Sequence, residues 1–459
     1  MAHVIIREEV PPSENPYSKF KLKDNPFPVD AILTPQSPDP RNNGTIFAST
    51  IRKEVIEAFE DKLIGKNSFD NRYRLGYLWA EGGMEYGRGV GKTALLKYFQ
   101  RKINADWGAS YFGHRTPVCA LYVAPPQVKD KPLEYVCLLA LRNLQEIGVL
   151  ESVVLTLRWR VIQRGGAGGN TVSINDAIAK EGDHSLLLND DWLTQNGIDL
   201  DHLNEAVVGE MSTKGVSVEF ARAAATRDIV TYLKALRRDG QITIPHPPRD
   251  TLLISMLKDL FFNQGIRLLE SGGYSGAYLF VDDIENIVDQ PTRKYREIFA
   301  KDLGYIQFRM DYDAGIKRFL TIVLTTHDNA ANKLSEAWNL AGLAASLPMS
   351  IDAPNSIKVT PPTAEEMDEI FKVHLSYYRL EGALCSPLFP FKHEAVHRLA
   401  EVSRYHPRRT LAGANRIIEA AKNKTEVIEI TSDFVDEVIA TPIEAEQALP
   451  SPIDELEGR

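Results

Sequence analysis

The sequence has few cysteines and no long apolar run. Only 3 cysteines occur among 459 residues, and none has a neighbour at metal-ligand spacing. We therefore expect buried thiols at Cys119, Cys137 and Cys385, with neither a disulfide framework nor a cysteine zinc site. No apolar stretch has the length of a membrane span, and residues 1–11 lack the pattern of a secretory signal. These absences predict a cytoplasmic protein without membrane contact.

The chain also lacks an excess of positive charge. It carries 53 Lys and Arg against 62 Asp and Glu, a net charge of −9, which argues against a protein that coats nucleic acid along its whole surface. A local basic face that contacts phosphates stays open. With 44% hydrophobic and 25% charged residues, the composition is that of a globular protein, and the length suffices for two or three domains.

A glycine-rich run stands between an apolar stretch, 75–80, and a stretch with helical spacing, 94–100. Glycines let successive backbone N–H groups converge on phosphates, and the helix that follows presents the positive end of its dipole. In such a loop Lys92 reaches the β- and γ-phosphates of ATP, and the Thr93 hydroxyl is a ligand of Mg²⁺. At the first position of the usual spacing stands Tyr86 instead of glycine. The residues predicted to cradle the nucleotide are Gly87, Arg88, Gly89, Val90, Gly91, Lys92, Thr93 and Ala94.

Acidic residues follow a second apolar stretch, residues 277–281. On a central parallel strand such a run is apolar throughout, and the first carboxylate emerges at the edge where ligands bind. We expect Asp282 to hold Mg²⁺ and Asp283 to orient or deprotonate the attacking water, with Glu285 as the competing candidate for the base. After the next strand, Thr326 is placed to reach the γ-phosphate or the water, and a helix-capping role for it is an equal alternative.

Alternation of strands and helices predicts an α/β fold with a five-stranded parallel sheet. It spans 46–360, and a helical insertion interrupts it at about 151–272. An extended, proline-rich arm, 1–45, is expected to lie on this domain. A helical lid, 361–442, and an acidic tail, 443–459, follow. The predicted strands are residues 74–80, 118–123, 277–281, 319–324 and 357–359.

In the helical domain, Arg408 stands at the start of a helix that Pro407 opens. A cation is poorly placed at the positive end of a helix dipole unless it meets an anion, so Arg408 is a candidate contact for a nucleotide phosphate, with a solvated helix end as the alternative.

Together these motifs resemble those of the AAA+ ATPases, and among them the replication-initiator (origin-recognition) ATPases and DNA-transposition regulators. The resemblance covers about 50–123 and 274–425. It implies Walker A at Gly89, Gly91, Lys92 and Thr93, Walker B at Asp282 and Asp283, sensor 1 at Thr326 and sensor 2 at Arg408.

Two departures bear on function. Between His327 and Ile357, where the family usually carries an arginine finger, there is no arginine and the one lysine is Lys333. Arg309 or Arg318, just before the fourth strand, could substitute for that finger from another direction, and a plain surface position is the alternative for both. We expect no winged-helix domain after the lid, because the residues that follow Asn423 are too few to build one, so the candidates for DNA contact are the 158–169 loop and a basic helix. That helix carries Arg222, Arg227, Lys234, Arg237 and Arg238.

Two functions follow. The first is an ATP-binding AAA+-type ATPase that couples Mg²⁺·ATP binding or hydrolysis to assembly on double-stranded DNA or on a partner protein, as a homo-oligomer or with that partner. The alternative is a nucleotide-dependent switch subunit with slow hydrolysis, which recruits an effector enzyme in a mobile-element or anti-phage system.

Overall fold

The computed structural model of the chain describes residues 15–29, 38–65, 75–80, 90–112, 117–127, 132–165, 174, 176, 178, 180–242, 257–288, 292–308 and 319–440. It forms two compact units, Lys53–Thr360 and a second that joins Met1–Arg52 to Pro361–Arg459. Each unit has its own apolar core.

The first unit is built on a parallel sheet of five strands in the order β2-β3-β4-β1-β5. Nearly every strand residue is buried, because helices cover both faces of a parallel sheet and the strands are apolar throughout. This confirms the α/β fold with a five-stranded parallel sheet. The strands are β1 Leu75–Ala80, β2 Val118–Val123, β3 Gly276–Val281, β4 Leu320–His327 and β5 Ser356–Val359.

The helices of the first unit surround this sheet and fill the predicted insertion. Those before the insertion are α1 Lys53–Phe59, α2 Lys92–Asn104, α3 Asp106–Phe112 and α4 Pro132–Glu146. The helices of the insertion are α5 Val149–Gln163, at its start, and then α6 Asp190–Gln195, α7 Leu200–Thr213, α8 Val218–Ala225, α9 Ile229–Ile242 and α10 Ile266–Ser271. After β3 come α11 Ile284–Val288, α12 Arg293–Phe308, α13 Asp328–Leu340 and α14 Leu343–Ser346.

The second unit contains four α-helices among its described residues. They are α15 Ala364–Tyr377, α16 His393–Val402, α17 Pro407–Lys422 and α18 Ser432–Ala440. A capping box opens α15, in which the Thr363 side chain accepts from the Glu366 N–H and the Glu366 carboxylate accepts from the Thr363 N–H.

The N-terminal arm packs on these helices, which corrects the expectation that it lies on the α/β domain. Phe20 and Phe27 are fully buried in the same core as Phe371. Asn25 donates its side-chain N–H to the Asn415 carbonyl at 3.1 Å, and Asn415 donates back to the Phe27 carbonyl at 2.7 Å. These paired hydrogen bonds join the arm to α17, and an apolar pattern of a few residues could not reveal its docking surface.

The cysteine expectation is right at two positions and wrong at one. Cys119 and Cys137 are buried, whereas Cys385 is exposed. Burial raises the pKa of the Cys119 thiol to about 12, so this residue is a neutral core side chain.

Candidate functional site

The helix predicted after the glycine-rich run is present and begins two residues before the predicted stretch 94–100. Helix α2 starts at Lys92, and Gly91 before it has φ of +103°, a conformation that other residues rarely adopt. Lys92 is buried, whereas Thr93 and Ala94 are half-buried. The first N–H groups of a helix have no partner within it, so this end of α2 is suited to bind an anion. Gly87, Arg88 and Gly89 lie outside the described residues.

Asp282, the first residue after β3, is held from two sides. Its side chain is only 1% exposed. The Tyr122 hydroxyl, on the neighbouring strand β2, donates to Oδ2 at 2.7 Å, and the Asp283 backbone N–H donates to Oδ1 at 3.0 Å. Each oxygen keeps a further lone pair after these bonds. An ordered carboxylate with spare acceptor capacity is the kind of ligand that Mg²⁺ prefers.

Helix α2 contacts this carboxylate's support through a buried lysine. The Lys97 ammonium lies 3.7 Å from the centre of the Tyr122 ring, a cation–π contact, and donates to Gln100 Oε1 at 3.0 Å. Gln100 in turn donates to Asn143, which accepts the Tyr122 backbone N–H at 2.9 Å. Burial lowers the pKa of Lys97 to about 8, although the neighbouring Asp282 opposes the shift. The helix that carries Lys92 and the strand that presents Asp282 are therefore joined by one buried polar network.

Asp283 has a left-handed backbone, with φ of +49°. Asp is among the few residues other than glycine that tolerate this region. The turn is held because the Asp283 N–H donates to the Thr325 hydroxyl on β4 at 2.9 Å as well as to Asp282. Thr325 is fully buried, and Asp283 is half-buried. A threonine on the adjacent strand thus fixes the direction in which the second acid leaves the sheet.

Glu285 occupies a different environment from Asp283. It lies in α11, is 1% exposed, and its Oε1 stands 3.9 Å from His327 Nε2 at the end of β4. His327 is equally buried. Of the two candidate bases, Asp283 is the one with an exposed part of its side chain, so it is better placed to meet a water molecule.

Thr326 is fully buried, and its hydroxyl lies 3.5 Å from the His327 carbonyl oxygen. The capping alternative finds no support, because His327 is the N-cap of α13 and no side-chain hydrogen bond caps that described end. Asp328 instead accepts the Trp79 indole N–H at 3.0 Å. Thr325, the preceding residue, contacts the acidic turn, because its hydroxyl accepts the Asp283 N–H.

Arg408 is the second residue of α17, after Pro407, and is half-buried. His406 is the N-cap residue, and its Nδ1 accepts the Arg409 N–H at 3.4 Å. Arg404 and Tyr405 just before have positive φ values of 56° and 55°. This helix start is therefore an ordered turn of the second unit.

Three arginines of the insertion are engaged by local partners, and DNA contact by the 158–169 loop or by the basic helix stays a prediction. Arg158 is 1% exposed inside α5, where it donates to the Leu187 carbonyl and to Asp190 at 2.9 and 2.7 Å. Arg227 also donates to Asp190, at 3.0 Å, and Arg222 pairs with Glu205 at 3.1 Å. Residues 166–169 of the loop lie outside the described residues, as do Arg309 and Arg318. Arg158 stabilises the insertion and is not accessible to DNA.

Comparison with known proteins gives one structural likeness. No family model matches the chain, and no curated protein matches it either. Among solved structures, the chain is similar to the ORC2 protein of Aeropyrum pernix in its ADP form. The likeness covers 92% of this chain and 72% of that one, at 10% identity and a TM-score of 0.42. At so low a TM-score and identity the likeness carries no argument about function, which has to rest on the residues and geometry of the site.

None of the helices among the described residues is long and apolar enough to cross a membrane.

Proposed function

We propose that this chain is an AAA+-type ATPase that binds Mg²⁺·ATP and couples its binding or hydrolysis to assembly with a partner. The observation that carries the proposal is the Tyr122–Asp282 pair. It places a fixed carboxylate at the carboxyl end of a central strand, and the helix that begins Gly91-Lys92-Thr93 packs on the same tyrosine through Lys97. In open α/β sheets, ligands bind at this edge.

The residues present suit a magnesium ion. Hydroxyl and carboxylate oxygens, from Thr93 and Asp282, are hard donors of the type that Mg²⁺ selects. When bound, Mg²⁺ would neutralise charge on the phosphates. Lys92 would bind the β- and γ-phosphates, and the α2 N–H groups would orient them.

The roles of the two acidic residues follow from accessibility. Asp283 would orient the attacking water and accept its proton, since its side chain is partly exposed and its backbone is held by Thr325. Glu285, buried against His327, would support the wall of the site. Accessibility does not decide the roles of Thr326 and Arg408; we propose γ-phosphate sensing for both because their positions resemble sensor 1 and sensor 2 of the AAA+ ATPases.

The partner is the open part of this function. Engagement of Arg158, Arg222 and Arg227 by acidic or carbonyl partners leaves fewer free cations for a DNA backbone. The sequence also has no arginine between His327 and Ile357. Both observations favour a second candidate function, a switch subunit that hydrolyses ATP slowly and acts on a protein partner.

Turnover with and without DNA separates the two candidates. We would measure ATP hydrolysis by the purified protein, alone and with double-stranded DNA, and record particle mass by light scattering in the same samples. Asp283→Asn serves as the inactive control. Stimulation by DNA with growth in mass supports the DNA-assembled ATPase. Tight Mg²⁺·ATP binding with negligible turnover and no effect of DNA supports the switch, and no nucleotide binding at all refutes both.

A further inference from the structure

Two histidines and an aspartate converge in the second unit. His393 and His397 are one helical turn apart on α16, so their side chains lie on the same face. Their ring centres are 3.9 Å apart. Both point at Asp368 of α15, with His393 Nδ1 at 2.6 Å and His397 Nε2 at 3.6 Å from Oδ2. One ligand atom from each of the three residues lies within 4.8 Å of the other two.

The cluster contains buried polar atoms that the protein itself does not satisfy. Asp368 is 6% exposed, and its Oδ1 is buried without a hydrogen-bond partner. His397 Nε2 is also buried without one. The nearest cation along α15, Lys372, is paired with Glu369 at 2.6 Å. Buried polar atoms are nearly always satisfied, since leaving one without a partner costs about 1–3 kcal/mol.

A simple ion pair does not account for this arrangement. A protonated His393 would satisfy Asp368 Oδ2, but Oδ1 and His397 Nε2 would still lack partners. A cation placed among the three side chains accepts electron pairs from His397 Nε2 and from the Asp368 carboxylate, and it reaches Oδ1 as well when the carboxylate binds through both oxygens. Glu365, one turn before Asp368, adds negative charge on this side. Its pKa is lowered first by its backbone hydrogen bond and the Thr363 hydroxyl, and further by His397 and His393.

We infer that Asp368, His393 and His397 form a binding site for a divalent transition-metal ion, with Zn²⁺ as the ion that suits the donors. Two imidazole nitrogens, which are borderline donors, and one hard carboxylate oxygen make a set that Zn²⁺ accepts and that Mg²⁺, with its preference for oxygen alone, does not. Zinc bonds of about 2.0–2.1 Å bring tetrahedral donor atoms to about 3.3 Å from one another. The two distances from Asp368 Oδ2, 2.6 Å to His393 and 3.6 Å to His397, lie on either side of that value, and all three ligand atoms lie within 4.8 Å of one another.

The site has a defined structural consequence. The ion would join α15 to α16 at the surface of the second unit, and α16 also packs against α17 and α18. His393 has a 60% exposed side chain, so the ion reaches the site from solvent and keeps one position open to water. The inference is independent of nucleotide binding, since none of its ligands belongs to the proposed nucleotide site.

Cobalt provides a direct probe of these ligands. We would titrate Co²⁺ into untagged, full-length protein that has been stripped with a chelator, and follow the visible absorption of ligated Co²⁺ and its displacement by Zn²⁺. We expect one equivalent of Co²⁺ to bind and Zn²⁺ to displace it. His397→Ala and Asp368→Asn should each weaken binding by at least about a hundredfold, because each removes a ligand. His202→Ala, at an exposed histidine of α7, should bind like the wild type.

Asp368→Asn keeps the size of the side chain, and circular dichroism checks that the variants fold. His397→Gln repeats the test if His397→Ala unfolds. The inference is overturned if the wild type gives no cobalt absorption. It is equally overturned if folded Asp368→Asn and His397→Gln bind Co²⁺ like the wild type, because the ion would then sit elsewhere.

Discussion

The hydroxyl of Tyr122 offers the sharpest test of the proposed magnesium ligand. Tyr122→Phe removes one oxygen atom from a fully packed position and leaves the ring under Lys97 in place. The lost bond is a 2.7 Å hydrogen bond to a carboxylate that is 1% exposed. Hydrogen bonds to charged groups contribute about 1.5–3 kcal/mol, so we expect the free energy of unfolding to fall by about that amount.

The same change should weaken the dependence of nucleotide binding on Mg²⁺. Without the Tyr122 hydroxyl, the Asp282 carboxylate loses the fixed orientation that metal binding needs. A loss of about 1.4 kcal/mol in binding free energy corresponds to a tenfold loss of affinity. We therefore expect ATP affinity in the presence of Mg²⁺ to fall about tenfold, with little change in the presence of a chelator. Isothermal titration under both conditions measures the two values.

Tyr77→Phe is the matched control. Tyr77 is a fully buried tyrosine on β1, and its hydroxyl donates to the Leu347 carbonyl at 3.1 Å and accepts from Trp338 at 2.9 Å. Its loss should destabilise the protein without affecting Mg²⁺. If both variants bind Mg²⁺·ATP like the wild type, or both lose affinity equally, Asp282 is not positioned by Tyr122 for the metal.

Three further predictions concern titratable side chains. Burial lowers the pKa of Lys97 from 10.5 to about 8. Folding therefore disfavours its charged form, and the free energy of unfolding should rise with pH above about 8. In urea unfolding, the difference in that free energy between wild type and Lys97→Met should change by about 2 kcal/mol between about pH 7 and pH 9.5. His374, which hydrogen-bonds the Pro26 carbonyl at 3.0 Å, has its pKa lowered by burial from 6.5 to about 4. Its contribution is therefore present above about pH 6.5 and lost as the pH falls towards 4, by about 3 kcal/mol in full, and His374→Gln should flatten that dependence; an unchanged acid profile would contradict it. Asp283→Asn should abolish ATP hydrolysis and retain ATP binding, whereas Glu285→Gln should chiefly lower the thermal midpoint; the reverse pattern would make Glu285 the base.

The sheet could be predicted from the sequence because its strands are buried on both faces and read as uninterrupted apolar runs. The same property makes it impossible to read from the sequence which residues of β4 face which side of the sheet. Without alternation of apolar and polar residues, nothing in the sequence shows that Thr325, and not Thr326, reaches the Asp283 N–H.

Contacts between elements distant in sequence lay beyond the sequence patterns. The sequence shows Tyr122 only as one residue of an apolar strand, because its contact with Asp282 depends on β2 lying next to β3 in the sheet. Lys97 followed helical spacing but faces inward, and only the packing of α2 on β2 reveals it. The same holds for Asp368 and the two histidines on α16, since their convergence depends on how α15 packs against it.

Nucleotide binding by Lys92→Ala tests the central claim most directly. We would measure Mg²⁺·ATP affinity for wild type, Lys92→Ala and Lys102→Ala, a lysine of the same helix that pairs with Glu60 and lies over the Trp107 ring. We expect Lys92→Ala to lose measurable affinity while Lys102→Ala keeps it, with both variants folded. Unchanged ATP binding by folded Lys92→Ala would contradict the proposed nucleotide site.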